Sequence, residues 1–183
     1  QNNIQNNNQN NNQNNNAWPQ MFNGQEYWDQ GSLDSAIAAF NNNPPPSNTG
    51  QTFNAPNGVD AFYSGGTGDD TFVAGTGKDA FMGGGGADKF VFTLGEGSSN
   101  GNPMLAALGA DGMQDFDRSD GDKIKIFNVD GVTPIANPFG TNVLTSDNVS
   151  MVGYTLVKVT GTTEVVFGMN GNETFTDADV TVA

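Results

Sequence analysis

A triplet of glycine, aspartate and phenylalanine recurs on a nine-residue period in the middle of this chain and constrains the fold more than any other feature. The pattern Gly-x-Asp-x-Phe begins at Gly58, Gly68, Gly77 and Gly86, so four copies lie within 33 residues. Random order would give only about 0.16 copies in a chain of this composition. The first step is ten residues long, which makes Tyr63 or Ser64 an extra residue. Such a short period predicts stacked structural units.

Each unit divides into a turn and a short strand. Its first six residues are rich in glycine, so the backbone can adopt positive φ, turn tightly and aim its carbonyl groups at one point. In the strand that follows, the Phe side chain points inward, whereas the Asp belongs to the turn and lies at its outer edge. The pattern therefore predicts a stacked core made of Phe62, Phe72, Phe81 and Phe90.

The aspartates raise an electrostatic problem. Two units complete one coil, which pairs Asp60 with Asp79 and Asp70 with Asp88. Strands of neighbouring coils lie about 4.8 Å apart, and two carboxylates at about that distance repel by roughly 3 kcal/mol at an effective dielectric of about 20. A divalent cation held between the two carboxylates replaces this repulsion by attraction. Carboxylate and carbonyl oxygens are the ligands that Ca²⁺ prefers. The carbonyl groups expected to complete these sites belong to Gly66, Gly68, Gly75, Gly77, Gly84 and Gly86.

An ordinary β-protein with solvated turns is the alternative, since Gly and Asp are common turn formers. The turns of an ordinary β-protein would not need to recur every nine residues. Residues 65 to 73 and 83 to 91 fit the nonapeptide GGxGxDxUx, where U is a large apolar residue, and residues 74 to 82 depart from it only at Ala74. This pattern resembles the calcium-binding repeat of RTX proteins. The resemblance implies an all-β fold, a right-handed parallel β-roll with an antiparallel C-terminal cap.

The stretch from Met113 to Phe127 resembles the segment that follows the repeats in serralysin-type RTX proteases and in alginate epimerase R-modules. On that resemblance, Asp115 and Asp122 would complete a calcium site at the last coil. Four other aspartates are expected to be solvated, namely Asp69, Asp111, Asp117 and Asp120.

The chain divides into four expected regions. Residues 1–31 form an irregular Gln/Asn-rich assembly segment, and 32–56 form one short helix followed by a proline-rich linker. The β-roll occupies 57–92, and 93–183 form the cap region. Within the cap we expect a helix over 102–109 and strands over 143–145, 154–160 and 164–169, with a tight turn at Asn170-Gly171. The last five residues resemble a type I export tail.

Composition excludes several functions. The chain has 20 acidic and 6 basic side chains, and this balance repels nucleic acids and anionic lipids. No apolar run approaches the roughly 20 residues of a membrane-spanning helix. Cysteine and histidine are absent, which excludes disulfides, thiolate or imidazole metal sites, and nucleophiles activated by imidazole. We therefore expect no enzyme.

These observations favour a secreted structural protein that folds on extracellular Ca²⁺ and assembles with copies of itself into a surface layer, filament or matrix. Residues 1–31 are expected to make the contacts between subunits, because the amide tract carries no charge and amide side chains can pair in register. The alternative is a non-catalytic module of a secreted enzyme, serving calcium-dependent polysaccharide binding or type I export. The first is favoured because only an amide tract and one helix precede the roll.

Overall fold

The computed structural model describes residues 20–22, 25–27, 31, 49–96, 98–99, 110–149 and 154–183. These residues form an all-β structure with one short 3₁₀ helix, Asp177–Asp179. The strands are β1 (Gln20–Phe22), β2 (Gln25–Tyr27), β3 (Thr52–Asn54), β4 (Ala61–Gly66), β5 (Thr71–Val73), β6 (Ala80–Gly84), β7 (Lys89–Thr93), β8 (Ser98–Ser99), β9 (Asp111–Met113), β10 (Lys123–Phe127), β11 (Leu144–Val149), β12 (Tyr154–Val159) and β13 (Glu164–Asn170). The short helix expected at the start of region 32–56 and the helix expected over 102–109 lie outside the described residues.

Consecutive strands from β3 to β7 alternate between two sheets. The four-stranded sheet has the order β10-β7-β5-β3, and all of its neighbours pair in parallel. The nine-stranded sheet has the order β11-β12-β13-β9-β6-β4-β1-β2, with β8 added beside β13. Within it β4, β6 and β9 are parallel. Each circuit of the chain therefore places one strand in each sheet, and this pairing extends on both sides of residues 57–92.

Aromatic rings fill the space between the two sheets. Phe72, Phe81 and Phe90 are fully buried, as the repeat predicts. The ring centroids of Phe72 and Phe90 are 5.3 Å apart in neighbouring coils, and Phe53 continues the same stack at 5.1 Å from Phe72. Because this spacing is close to the distance between paired strands, each coil contributes its rings to one continuous core.

The prediction for Phe62 is wrong, because Tyr63 occupies the core position. The register pairs Tyr63 with Phe81 and Phe62 with Ala80, and Tyr63 is 3% exposed. The first triplet is therefore shifted by one residue relative to the coil, because Phe62 lies one residue before the position that pairs with Phe81. This shift is already present before β4 begins. A slip of one residue exchanges the two faces of a strand, so Phe62 lies on the outer face of the sheet.

The antiparallel C-terminal strands agree with the prediction. β11, β12 and β13 pair antiparallel in sequence, and Gly161 makes the β12–β13 turn with a φ of 75°. β13 then pairs in parallel with β9, which joins these strands to the coil in one sheet. After Gly171 the chain continues toward the 3₁₀ helix and forms no hairpin in the described residues.

The last residues dock along the edge of the four-stranded sheet. Val180 makes a parallel bridge to Ile124 of β10, and the Thr181 N–H donates to the Ile124 carbonyl at 2.9 Å. Arg118, in the β9–β10 loop, forms ion pairs with Asp179 and Glu173. Its guanidinium group also lies 5.3 Å from the ring centroid of Phe116. The C-terminal segment thereby covers an edge that would otherwise expose unpaired backbone groups.

None of the helical residues that the structure describes forms a helix long and apolar enough to cross a membrane.

The register at β4 can be tested by truncating the two neighbouring aromatic side chains separately. We expect Tyr63→Ala to lower the free energy of unfolding by about 3 kcal/mol or more, because it empties a core position. Phe62→Ala, at a half-buried position on the outer face, should cost less than Tyr63→Ala. Chemical denaturation in one buffer measures both values, and the reverse order would contradict the assigned register.

Candidate metal centre

Buried aspartates stand at the start of successive strands in each sheet. In the four-stranded sheet Asp70, Asp88 and Asp122 precede β5, β7 and β10. In the nine-stranded sheet Asp79 precedes β6, and Asp111 begins β9. All five are at most 5% exposed. The parallel register places these side chains in two rows, one along each sheet, with one carboxyl group per coil.

One carboxylate oxygen of each aspartate binds the preceding coil. Along the four-stranded sheet, Asp70 Oδ1 accepts from the Gln51 N–H at 2.6 Å, Asp88 Oδ1 from the Asp70 N–H at 2.8 Å, and Asp122 Oδ1 from the Asp88 N–H at 2.9 Å. Along the nine-stranded sheet, Asp79 Oδ1 accepts from the Ala61 N–H at 3.0 Å, and Asp111 Oδ1 from the Asp79 N–H at 2.9 Å. We call these bonds the carboxylate ladders. They satisfy backbone donors that the stacking of coils would otherwise leave buried and unpaired.

The second oxygen closes the turn in which the aspartate lies. Asp70 Oδ2 accepts from the Gly66 N–H at 3.0 Å, and Asp79 Oδ2 accepts from the Gly75 N–H at 2.9 Å, each four residues earlier. In the next unit the corresponding donor is the N–H of Gly84, which donates instead to Asp115 Oδ2 at 2.9 Å. Asp88 Oδ2 is consequently buried without a hydrogen-bond partner in the described part of the chain.

The structure brings Asp115 to the same turn. Its Oδ1 atom accepts from the Gly83 N–H at 2.7 Å, so the carboxylate spans two consecutive backbone donors. Asp122, Asp70 and Asp115 are all close enough to raise the pKa of Asp88. This cluster of four carboxyl groups, from Asp70, Asp88, Asp115 and Asp122, is the candidate metal centre. Three of the four, all except Asp88, have both oxygens bonded to backbone N–H groups.

The positions predicted for the remaining aspartates are correct for some and wrong for others. Asp70 and Asp88 are neighbours as predicted, but Asp60 is one residue out of register with Asp79 and instead accepts from the Lys78 N–H at 2.9 Å. Asp69, Asp117 and Asp120 are exposed, as expected.

Asp111 was expected to be solvated, and this expectation is wrong, because it is 5% exposed within a carboxylate ladder. The stretch Gly109-Ala110-Asp111-Gly112-Met113 repeats the triplet with Met in place of Phe, and this is the signal that would have identified it.

The glycines have a packing role that is visible without a cation. A Cβ atom built on Gly77 would lie 2.2 Å from the Val59 carbonyl oxygen, and one on Gly84 would lie 2.2 Å from that of Gly66. Gly84 and Gly86 also have φ values of +95° and +109°, which residues with a side chain rarely adopt. A Cβ atom built on Gly86 would likewise lie 2.7 Å from the carbonyl carbon and oxygen of Gly68. Glycine therefore lets successive turns stack backbone on backbone, and the carbonyl ligands remain a prediction.

Burial makes the carboxylate ladders electrostatically costly. Desolvation raises the pKa of Asp79 to about 6, of Asp88 to about 7 and of Asp111 to about 8, and neighbouring carboxyl groups add to each shift. Desolvation likewise raises the pKa values of Asp70, Asp115 and Asp122. Backbone N–H donors lower these values but do not offset the burial.

Five of the six basic side chains have contacts away from these carboxyl groups. All 6 lie in the described residues, and the main causes of the pKa shifts of the ladder aspartates are burial, backbone N–H donors and other carboxyl groups. Five have contacts elsewhere: Lys89 with the Ala183 carbonyl, Lys123 with that of Ala178, Lys125 with the Phe127 ring, Lys158 with Asp147, and Arg118 with Asp179 and Glu173. When their carboxyl groups are ionised, the ladders therefore hold negative charge that these five side chains do not balance.

The donor set of the candidate metal centre fits a hard cation. Among the residues that the structure describes, no group of three or more acidic side chains is arranged to hold a metal ion by side chains alone. A cation here would therefore draw on backbone carbonyl oxygens as well, which Ca²⁺ accepts readily with its six to eight oxygen ligands. The unpartnered Asp88 Oδ2 is the oxygen most in need of a positive partner.

Neither the family models nor the curated proteins include a match to this chain.

The raised pKa values predict how stability depends on pH in a calcium chelator. The folded state keeps protons on Asp79, Asp88 and Asp111 that the unfolded chain releases near a pKa of about 3.9. Between that value and about pH 8 the folded state binds more protons, so stability should fall as pH rises. Melting temperatures recorded by circular dichroism in chelator should decrease across this window.

A matched pair of variants separates the ladders from general charge repulsion. Asp111→Asn removes the group whose pKa is raised to about 8, so it should flatten the decline above pH 6. Asp120→Asn makes the same charge change at an exposed site that raises the pKa of Asp122, and it should change the slope less than Asp111→Asn does. A melting temperature that rises with pH, or equal slopes in the two variants, would contradict the assignment.

Proposed function

We propose that this protein is a secreted calcium-binding structural protein whose coil is an RTX-type parallel β-roll that folds on meeting extracellular Ca²⁺. The observation that carries the proposal is the pair of buried carboxylate ladders, in which carboxyl groups lie beside one another and Asp88 Oδ2 has no hydrogen-bond partner among the described residues. A buried charge without a partner costs several kcal/mol, so a folded coil with ionised ladders requires a counter-charge from outside the chain.

The residues that would hold the ion belong to the candidate metal centre. Asp88 offers an unpartnered oxygen, and Asp70, Asp115 and Asp122 surround it with negative charge. Carbonyl groups of the glycine turns would complete the ligand shell, and bound Ca²⁺ would supply the two positive charges that the ladders lack. A second proposed site involves Asp79, with Asp60 one residue out of register.

Calcium is favoured over other metals by the chemistry of the chain. The absence of Cys and His leaves oxygen donors alone, which suit Ca²⁺ and Mg²⁺ better than Zn²⁺ or Cu²⁺. Extracellular modules bind Ca²⁺ with dissociation constants of about 10⁻⁴ to 10⁻³ M. One site at 100 times its dissociation constant adds roughly 2.7 kcal/mol to stability. Several such sites would make folding depend on extracellular calcium.

Replacing Asp88 by Asn tests the metal and the fold separately. Asp88→Asn keeps an oxygen that can accept from the Asp70 N–H but removes the buried charge. We expect calcium affinity to fall by about tenfold or more, because a hard cation loses a carboxylate ligand. In chelator the variant should be at least as stable as the parent, since a buried like charge has been removed. Calorimetric titration and thermal unfolding provide the two measurements.

Asp120→Asn is the control, because Asp120 is exposed in the loop that precedes Asp122. It should lower calcium affinity less than Asp88→Asn does, because Asp120 acts on Asp122 only through its charge. The calcium proposal fails if the parent shows no calcium binding at millimolar concentrations, or if its circular dichroism and melting temperature are identical in calcium and in chelator.

The proposal includes self-assembly through the N-terminal segment. β1 pairs in parallel with β4, and β2 pairs antiparallel with β1, so residues 20–22 and 25–27 extend the nine-stranded sheet within one chain. That pairing supports an intramolecular role for part of the segment that was expected to contact other subunits. The Gln/Asn tract before it has no charge to oppose a second copy and remains the proposed contact.

Deletion of residues 1–19 tests this contact and leaves β1 and β2 in place. We expect the full chain in millimolar calcium to form filaments or layers in electron micrographs, whereas the truncated chain stays dispersed with unchanged calcium binding. Identical assembly by both chains would move the contact elsewhere. A full chain that remains monomeric at high concentration would remove self-assembly from the proposal and leave calcium binding intact.

A further inference from the structure

The C-terminal segment, residues 172–183, docks against a surface whose charge is unusual for this protein. The chain has a net charge of −14 at pH 7 and 6 basic side chains. Three of the six contact this segment, namely Arg118, Lys123 and Lys89. Arg118 forms ion pairs with Asp179 at 2.6 Å and with Glu173 at 2.7 Å, and the two lysines donate to backbone carbonyl groups at 2.9 and 3.0 Å. Half of the basic side chains are therefore placed where an acidic segment binds.

The same surface supplies an aromatic site and the edge of a strand. Phe175 is 2% exposed, and its ring centroid lies 5.2 Å from that of Phe116 and 5.4 Å from that of Phe167. Val180 pairs in parallel with Ile124 of β10. The segment therefore binds through its side chains and along a sheet edge, as peptides do in β-augmentation.

Asp177 adds a contact that depends on two backbone N–H groups. Its carboxylate oxygens accept from the Phe139 N–H at 2.9 Å and from the Gly140 N–H at 2.8 Å. A Cβ atom built on Gly140 would lie 2.4 Å from Asp177 Oδ2, so a side chain there would displace the carboxylate. With the aromatic site and the arginine, this contact selects the sequence Phe-Thr-Asp-Ala-Asp-Val of residues 175–180. We call the partners of the segment the receiving surface, which includes Lys89, Phe116, Arg118, Lys123, Ile124 and Gly140.

Gly171 lies between the segment and β13. It is exposed and has a φ of +105°, which residues with a side chain rarely adopt. A Cβ atom built on it would meet nothing within 4 Å in the described part of the chain. Because the contacts of the segment begin after this glycine, rotation at Gly171 would carry the segment away and leave the pairing of β13 unchanged.

A second copy of the chain offers the same receiving surface. If two copies exchange the segment, every contact described above is made again, so the segment gains the same interactions within one chain and between chains. The intramolecular arrangement is favoured by its effective concentration, which is of millimolar order for a short flexible linker. It also requires the positive φ at Gly171. Copies packed together in an assembly reach comparable local concentrations and compete with it.

We propose that residues 172–183 of one copy dock on the receiving surface of a second copy, with Gly171 as the hinge. Reciprocal exchange joins two copies into a closed pair, whereas exchange in series joins many copies into an open chain. This contact deepens the proposed self-assembly and rests on it, because assembly brings the copies together. It does not require calcium at the candidate metal centre.

Cysteine crosslinking tests the exchange directly, because the chain has no cysteine of its own. Lys125 and Thr181 are neighbours across the docked edge, since each follows one member of the Ile124–Val180 bridge. Paired strands lie about 4.8 Å apart, and a disulfide spans this distance. Full chains carrying Lys125→Cys or Thr181→Cys are unfolded together and refolded in millimolar calcium with reduced and oxidised glutathione. Mass spectrometry of the linked products then distinguishes mixed dimers from dimers of one variant.

We expect mixed dimers to exceed those of a control pair by about tenfold or more. The control pairs Thr181→Cys with Thr76→Cys, which is exposed in the turn between β5 and β6. A single chain with both Lys125→Cys and Thr181→Cys serves as the folding control. Its two thiols should link, within one chain or between chains, whenever the segment docks as described.

Two glycine variants separate exchange from general destabilisation. Gly171→Ala strains the closed hinge, so it should raise the yield of mixed dimers by about threefold or more. Gly161→Ala introduces a similar strain at a φ of +75° in the β12–β13 turn, where a built Cβ atom also meets nothing within 4 Å among the described residues. It should leave the yield unchanged, because this turn does not move in the exchange.

The proposal is overturned if mixed dimers do not exceed the control pair, if the two glycine variants give equal yields, or if the doubly substituted chain forms no disulfide. Filaments that persist in calcium without mixed dimers would overturn the exchange and leave the proposed function in place. Mixed dimers from a chain that binds no calcium would support the exchange and contradict the calcium proposal.

Discussion

The hydrogen bond from a backbone N–H to the aspartate of the next coil is the interaction on which this structure depends. Stacking parallel coils leaves a backbone donor at the start of each strand, and the carboxylates of Asp70, Asp88 and Asp122 accept these donors in turn. A charged acceptor makes a strong bond, but repeating it places like charges in one buried row. The carboxylates that join the coils therefore also create the need for positive charge beside them.

The nine-residue period predicts much of the fold, because equivalent residues of stacked coils must recur at a fixed interval. It predicts which phenylalanines are buried at Phe72, Phe81 and Phe90, and it predicts that Asp70 and Asp88 are neighbours. It fails at Phe62, where the local triplet is intact and only its pairing with β6 shows the displacement. A strand's partner sets its register, and the residues of the strand alone do not contain that information.

Long-range contacts account for the other differences. Asp111 joins its ladder across 32 residues of chain, outside the nine-residue period, and its local triplet differs from the others by Met in place of Phe. The antiparallel strands were predictable from composition and turns. Their attachment to the coil through β9 was not, and neither was the contact of Arg118 with Asp179, because each requires the folded arrangement.

The ladder bonds also show that the coil does not require a fixed length of chain between one strand and the next. The same hydrogen bond is made between residues 18, 19, 32 and 34 positions apart. Only an aspartate at the next strand start is needed, whatever length of chain lies between. Since doubling a flexible loop adds only about 0.6 kcal/mol of closure entropy, extra sequence can accumulate at these turns at little thermodynamic cost. A scaffold of this kind can acquire new surface segments during evolution, or receive them by design, without changes to its interior.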